Sequence, residues 1–264
     1  MTNNESLQRN LAITKRLSTL LESWIGKPED EIEIELIDGL LRGVAVDPPT
    51  VMTHIGVQLS AVLEKHPEAA VNICTRMTGS PLPETRCLSA VIISQIGKYS
   101  PSLWTGMIRH LALDDDWHVR DFAAAIFDIS ADHEGWIEFH PDYVWEMLQE
   151  WVKDRDYLVR RLTTRALLGY TRKHPETTDK LLALWEPLLT DSSEFVRRNL
   201  VSALRSVGRK EPDLIMNWLN THLSSASGHV ASIAGMTIDA SFSQQNPELR
   251  REILNKLSTS DTNN

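Results

Sequence analysis

Trp117 and Asp121 stand four residues apart in the run Trp-His-Val-Arg-Asp, directly after Asp114-Asp115-Asp116. On a helix this spacing places ring and carboxylate one turn apart on one face, within about 40° of arc. The apolar residues of the run, Val119, Phe122, Ala123 and Ile126, fall on a different arc and read as the core stripe. An indole turned away from the core beside a carboxylate is a candidate pair for contacting a bound group. The structural reading is that Trp117 packs on a neighbouring layer and Asp121 is a solvated acid, favoured by the helix N-terminal dipole. Matching positions in two later runs carry Tyr157, Arg161, Thr164 and Arg165, then Arg198, Val201, Ser202 and Arg205. Guanidinium groups bind phosphate oxygens in bidentate fashion, and contacts to a nucleic-acid backbone need no reading of bases. Arg161, Arg165, Arg198 and Arg205, with Tyr157, are therefore the candidate anion-facing set. Arg160 and Arg197 occupy a position shared by all repeats and are expected in Asp–Arg pairs within the protein.

Other chemistries find no support in the residue pattern. The chain holds no GxGxxG, GxxxxGK[ST] or GxSxG motif, so nucleotide-binding loops and hydrolase elbows are not expected. His133, Glu134, Glu138 and His140 gather in one segment, but their spacing matches no ligand pattern, and no metal or cofactor is expected. Cys74 and Cys87 are thirteen residues apart and form neither a CxxC site nor a disulfide framework, which suggests a reducing, cytoplasmic setting. No 18-residue apolar run exists and the first thirty residues lack a secretory pattern, so neither membrane span nor export is expected. The formal net charge of −9 is unevenly spread. Residues 1–154 carry 12 Lys and Arg against 24 Asp and Glu, whereas residues 155–212 carry 12 against 7. A basic stretch after an acidic half is compatible with an anionic partner for the second half.

These residues recur with a period that dictates the architecture. Val-Arg pairs stand at 119/120, 159/160 and 196/197, and the frame extends to Val51, Thr85-Arg86 and Val230. Sixteen residues after the anchor comes a proline (Pro67, Pro101, Pro175, Pro212), displaced to Pro141 after an insertion and to Pro247 at the end. Proline suits the first turn of a helix, where its missing N–H is no loss. Short amphipathic helices with Trp104, Trp145, Trp185 and Trp218 follow, and those rings read as inter-repeat core. Asp- or Ser-rich turns then cap a second helix of about 14 residues. Two one-sided helices per 34–40 residues bury their apolar stripes only by stacking. The expected fold is an all-α, HEAT-like α-solenoid of about six helix pairs, a right-handed superhelix with a concave groove. One domain over 1–264 is expected, with a helical cap at 1–48, repeats over 49–257 and a disordered tail at 258–264. Glu31-Ile-Glu-Ile-Glu-Leu-Ile alternates like a strand but is read as helix within the cap.

From Asp114 to about Leu219 the chain resembles the HEAT-like DNA alkylation-repair glycosylases of the AlkC/AlkD type. The residues that carry the likeness are Trp117-His-Val-Arg-Asp121, the segment from Trp151 to Asp156-Tyr-Leu-Val-Arg-Arg-Leu, and Asp191-Ser-Ser-Glu-Phe-Val-Arg-Arg with Lys210-Glu-Pro-Asp-Leu. The resemblance implies duplex DNA in a basic groove and loss of a cationic alkylated base. It assigns Asp121 to an oxocarbenium-like sugar, Trp117 to cation–π contact with the damaged nucleotide and Arg161 to a phosphate. The family's second tryptophan is replaced by Ser202, and two acids of one branch by Arg165 and Ser206. The sequence thus leaves two expectations, a DNA-binding protein that excises alkylated bases and a non-catalytic scaffold that engages a protein partner.

Overall fold

Prolines mark where the helices begin. In the computed structural model, which describes residues 3–44, 46, 49–128, 134–223 and 228–261, the chain forms two compact units, Met1–Pro141 and Asp142–Asn264. The first unit contains α1 (Asn3–Trp24), α2 (Ile34–Leu41), α3 (Thr50–Leu63), α4 (Pro67–Thr78), α5 (Pro83–Ile96), α6 (Thr105–Ala112), α7 (Trp117–Ala125) and α8 (Trp136–Phe139). The second contains α9 (Pro141–Trp151), α10 (Tyr157–Thr163), α11 (Leu168–Lys173), α12 (Thr178–Trp185), α13 (Glu194–Gly208), α14 (Pro212–Leu223), α15 (Gly228–Ile238) and α16 (Pro247–Asp261). Pro67, Pro141, Pro212 and Pro247 each open a helix, and Pro101 and Pro175 open 3-10 turns. No strand occurs among the described residues, and no helix among them is long and apolar enough to cross a membrane.

Each unit is a two-layer stack of helical repeats. In the first, α1, α3, α5 and α7 pack successively on one another, while α4 packs on α6. In the second, α10 packs on α13 and α13 on α15, while α14 packs on α16. The core lies between the layers, and Trp104, Trp145 and Trp185 are buried there as expected. Trp218 is only half-buried, its ring tilted against His222 at 4.5 Å.

The turns before α7, α10 and α13 show one hydrogen-bond scheme three times. Asp114, Asp154 and Asp191 each accept a backbone N–H two residues on, at 2.8 Å. Asp116 and Asp156 then cap α7 and α10 by accepting from the N–H of His118 and Leu158. Arginines of the preceding repeat clamp the turns before α7 and α13. Arg86 grips Asp114 through Nε at 2.6 Å and Nη2 at 2.9 Å, and Arg160 grips Asp191 at 2.6 and 2.8 Å. Arg160 thus makes the expected Asp–Arg pair, while Arg197 donates to the Asp191 backbone carbonyl. Burial alone would raise the Asp191 carboxyl. The Arg160 hydrogen bond, the Ser193 amide and the charges of Arg160 and Arg197 outweigh it and hold the group below the usual carboxylate range. A carboxyl depressed on folding stabilises the folded state above its unfolded pKa, and that contribution is lost as pH falls through the folded value. Asp191→Asn is therefore expected to cost about 2 kcal/mol at neutral pH, and the gap from wild type should narrow as pH falls below about 4, measured by urea unfolding.

Three local readings differ from the structure. The second helices were expected to run about 14 residues, and α3, α5 and α13, with 14, 14 and 15, match, yet α7 has 9 and α10 has 7. After α10 the hydroxyls of Thr163 and Thr164 bond back to the carbonyls of Arg160 and Arg161, and the Trp185 indole takes the Thr163 carbonyl at 2.9 Å. That carbonyl is then engaged outside the helix and α10 stops. The cap segment read as continuous helix is a 3-10 turn at Glu29–Glu31, extended backbone at Ile32, and helix only from Ile34. Its isoleucines Ile32, Ile34 and Ile37 are all buried. At the other end α16 continues to Asp261, so the stretch expected to be a disordered tail is helical over its first four residues. Residues 262–264 lie outside the described residues.

Candidate functional site

The aspartate-rich turn determines how α7 presents its first residues. The Asp116 side chain holds the His118 backbone N–H at 2.8 Å and lies 3.1 Å from imidazole Nδ1. Trp117 stacks on that imidazole, with ring centroids 3.6 Å apart and planes at 29°. The stack keeps the indole off the core, and Trp117 is 52% exposed. Val119, Phe122, Ala123 and Ile126 are buried, as their arc requires. Asp121 is half-buried one turn beyond Trp117. An exposed ring near a helix start with a carboxylate one turn on offers a flat apolar face and a negative charge side by side. A cationic planar group suits both.

The arginines and Tyr157 belong to the second unit. Tyr157 is 45% exposed on the first turn of α10 and meets Phe195 edge-to-face at 6.1 Å and 83°. Phe195, itself exposed, was not singled out in the sequence, although it directly precedes the anchor Val196. The four non-anchor arginines differ in their surroundings. Arg198 is 69% exposed and pairs with Glu194 one turn back at 2.6 Å, a geometry worth only a few tenths of a kcal/mol. Arg165 is exposed in the turn that follows α10. Arg161 is only 6% exposed and donates Nε to Asn199 Oδ1 at 3.1 Å. Arg205 donates Nε to the Met236 carbonyl at 3.1 Å, with Nη2 on the same oxygen. Thr164 and Val201, assigned from sequence to the same open face, are buried, because the end of α10 and the packing of α13 turn them inward.

The histidine-bearing insertion is partly described. His133 lies outside the described residues, and His140 Nε2 meets the Lys98 carbonyl. Among the described residues no group of three or more His, Cys, Asp and Glu is placed to hold a metal ion. Cys74 and Cys87 are free and buried, and burial pushes both thiols well above the usual thiol range.

Residues 55–236 match the family described as DNA alkylation repair enzyme. Among solved structures, smu.31 from Streptococcus mutans UA159 superposes with a TM-score of 0.53 at 19% identity, covering 70% of this chain and 97% of that one. The Pseudomonas fluorescens alkylpurine DNA glycosylase AlkC, bound to DNA containing an abasic site analog, gives a TM-score of 0.55 at 14% identity. That match covers 96% of this chain and 67% of the other. At these identities both are likenesses of fold. No curated protein matches the sequence.

Proposed function

This chain belongs to the DNA alkylation repair enzyme family, and from that premise we propose that it binds duplex DNA through the backbone and releases cationic alkylated bases. The observation that carries the reading is the half-exposed Trp117 indole with Asp121 one turn beyond it on α7. In the proposed reaction the C1′–N bond of an alkylated purine breaks and its electron pair leaves with the base, which departs neutral. The sugar passes through an oxocarbenium-like state, which the Asp121 carboxylate stabilises by its charge. Water then adds at C1′ and loses a proton, leaving an abasic site. Trp117 holds the cationic base or nucleotide through its ring face. A cationic base is a good leaving group, so one placed carboxylate suffices. Family membership favours this reading over a protein-binding scaffold.

For the duplex backbone we assign Arg165 and Arg198 as the direct phosphate contacts, with Tyr157 beside them, because their side chains are exposed. Arg161 and Arg205 contribute charge from braced positions against Asn199 and Met236. We place the protein in the cytoplasm, where its two buried thiols stay reduced. Binding carried by phosphates releases counterions, and the logarithm of affinity falls linearly with that of salt by about 0.9 per contact. Arg165→Ala/Arg198→Ala is expected to weaken duplex binding and flatten the salt slope by about two units in a fluorescence-anisotropy titration. An unchanged slope would overturn the phosphate assignment.

A further inference from the structure

The N-terminal segment 1–48 precedes the part of the chain that matches the family, and it is acidic, with five Lys and Arg against nine Asp and Glu. Three of those five cations nevertheless surround one recess. Arg9 and Arg16 stand two turns apart on α1, and Arg42 stands just past the end of α2. These three exposed arginines, together with Ile13, Gly39 and Leu40, line an open surface recess of about 340 Å³, and no described acidic side chain lines it. The three guanidinium groups make no ion pair or hydrogen bond with another described residue. Like charges gathered at one recess repel one another, weakly while water screens them, and attract an anion that enters among them. The C-terminal dipole of α2 supplies only about half a negative charge, and its end is already closed by the Arg42 and Val44 amides on Asp38 and Leu41. Three full positive charges exceed it.

We propose that this recess is a binding site for a phosphate-bearing anion, distinct from the residues assigned to base release. Guanidinium forks match the tetrahedral oxygens of a phosphate, and Ile13 and Leu40 add apolar lining beside them. The volume is that of a small-molecule site and accommodates more than one linked phosphate group. Gly39 provides a probe that leaves the fold alone. A Cβ built there meets nothing within 4 Å, so a side chain of either charge enters open space.

The full chain should be titrated calorimetrically with inorganic tripolyphosphate at low ionic strength. Wild type is expected to bind one equivalent. Gly39→Glu and Arg16→Ala/Arg42→Ala are expected to weaken binding at least tenfold, and Gly39→Lys to tighten it, all with unchanged circular dichroism. Equal affinity in wild type and all three variants, or no binding by wild type, overturns the proposal. A second arm titrates an undamaged duplex against the same proteins. A parallel loss of duplex affinity identifies the anion as a DNA backbone phosphate, and unchanged duplex affinity identifies it as a free phosphoester. Because the three variants alter only the N-terminal recess, the change they cause in the tripolyphosphate arm is independent of Asp121, of the second-unit arginines and so of the glycosylase reading.

Discussion

Asp121→Asn is expected to reduce release of methylated purines from alkylated duplex DNA by at least about 100-fold, close to 3 kcal/mol of transition-state stabilisation. The substitution keeps the size and shape of the side chain, removes its charge and turns one acceptor oxygen into a donor NH2. An oxocarbenium-like sugar gains positive charge as the C–N bond stretches, while the base loses the charge it carried. A carboxylate near the sugar therefore stabilises the transition state more than the ground state, and a carboxamide does not. Duplex affinity should change little, because the phosphate contacts assigned to Arg165 and Arg198 are untouched. Single-turnover release of 7-methylguanine, with anisotropy as the binding control, separates the two effects. Equal release by both proteins would remove Asp121 from the chemistry, and absence of release by wild type would remove the excision reading altogether.

Trp136→Ala is expected to destabilise the first unit by about 4 kcal/mol, the range for truncating a fully buried aromatic side chain. The ring comes from the insertion that displaces the repeat proline to Pro141, and it is wholly buried. Its Nε1 donates to the Ile93 carbonyl at 3.3 Å, and Phe127 meets it edge-on at 5.9 Å. Gly97 lies beneath it, where a Cβ would come within 2.3 Å of the ring. Backbone bonds from Trp136 and Ile137 to the carbonyls of Ile126 and Phe127 close the chain behind α7. The described part of the insertion, from Trp136, is thus part of the core behind the helix that bears Trp117 and Asp121. Urea unfolding of the variant checks this, and a loss below about 1 kcal/mol would mean that the ring is not integral to that core.

The fold was legible in the sequence because its signals are local. A proline at a helix start, an Asp-x-Asp turn and an apolar stripe at 3.6-residue spacing each act within a few residues, and their recurrence every 34–40 residues forces stacking. Even so, α10 is half its expected length, because Trp185, 22 residues away in sequence, takes the Thr163 carbonyl. The alternating acids and isoleucines at Glu31–Ile37 could not reveal that a 3-10 turn ends at Glu31, that the backbone is extended at Ile32 and that helix begins only at Ile34.

By itself the sequence determined the helical class, the repeat boundaries, the Asp–Arg ladder and the shared face of Trp117 and Asp121, since all follow from spacing along one helix or from one repeated position. Only the tertiary structure decided which of these side chains meet solvent. Arg161 and Arg198 hold comparable places in their repeats, yet the first is drawn in to Asn199 while the second is open. Arg205 is held by the Met236 carbonyl, and Arg9, Arg16 and Arg42, scattered over 34 positions of an acidic segment, converge on one recess. Whether a guanidinium braces a helix or faces a ligand depends on what the next layer places opposite it, and no periodicity within a single helix encodes that.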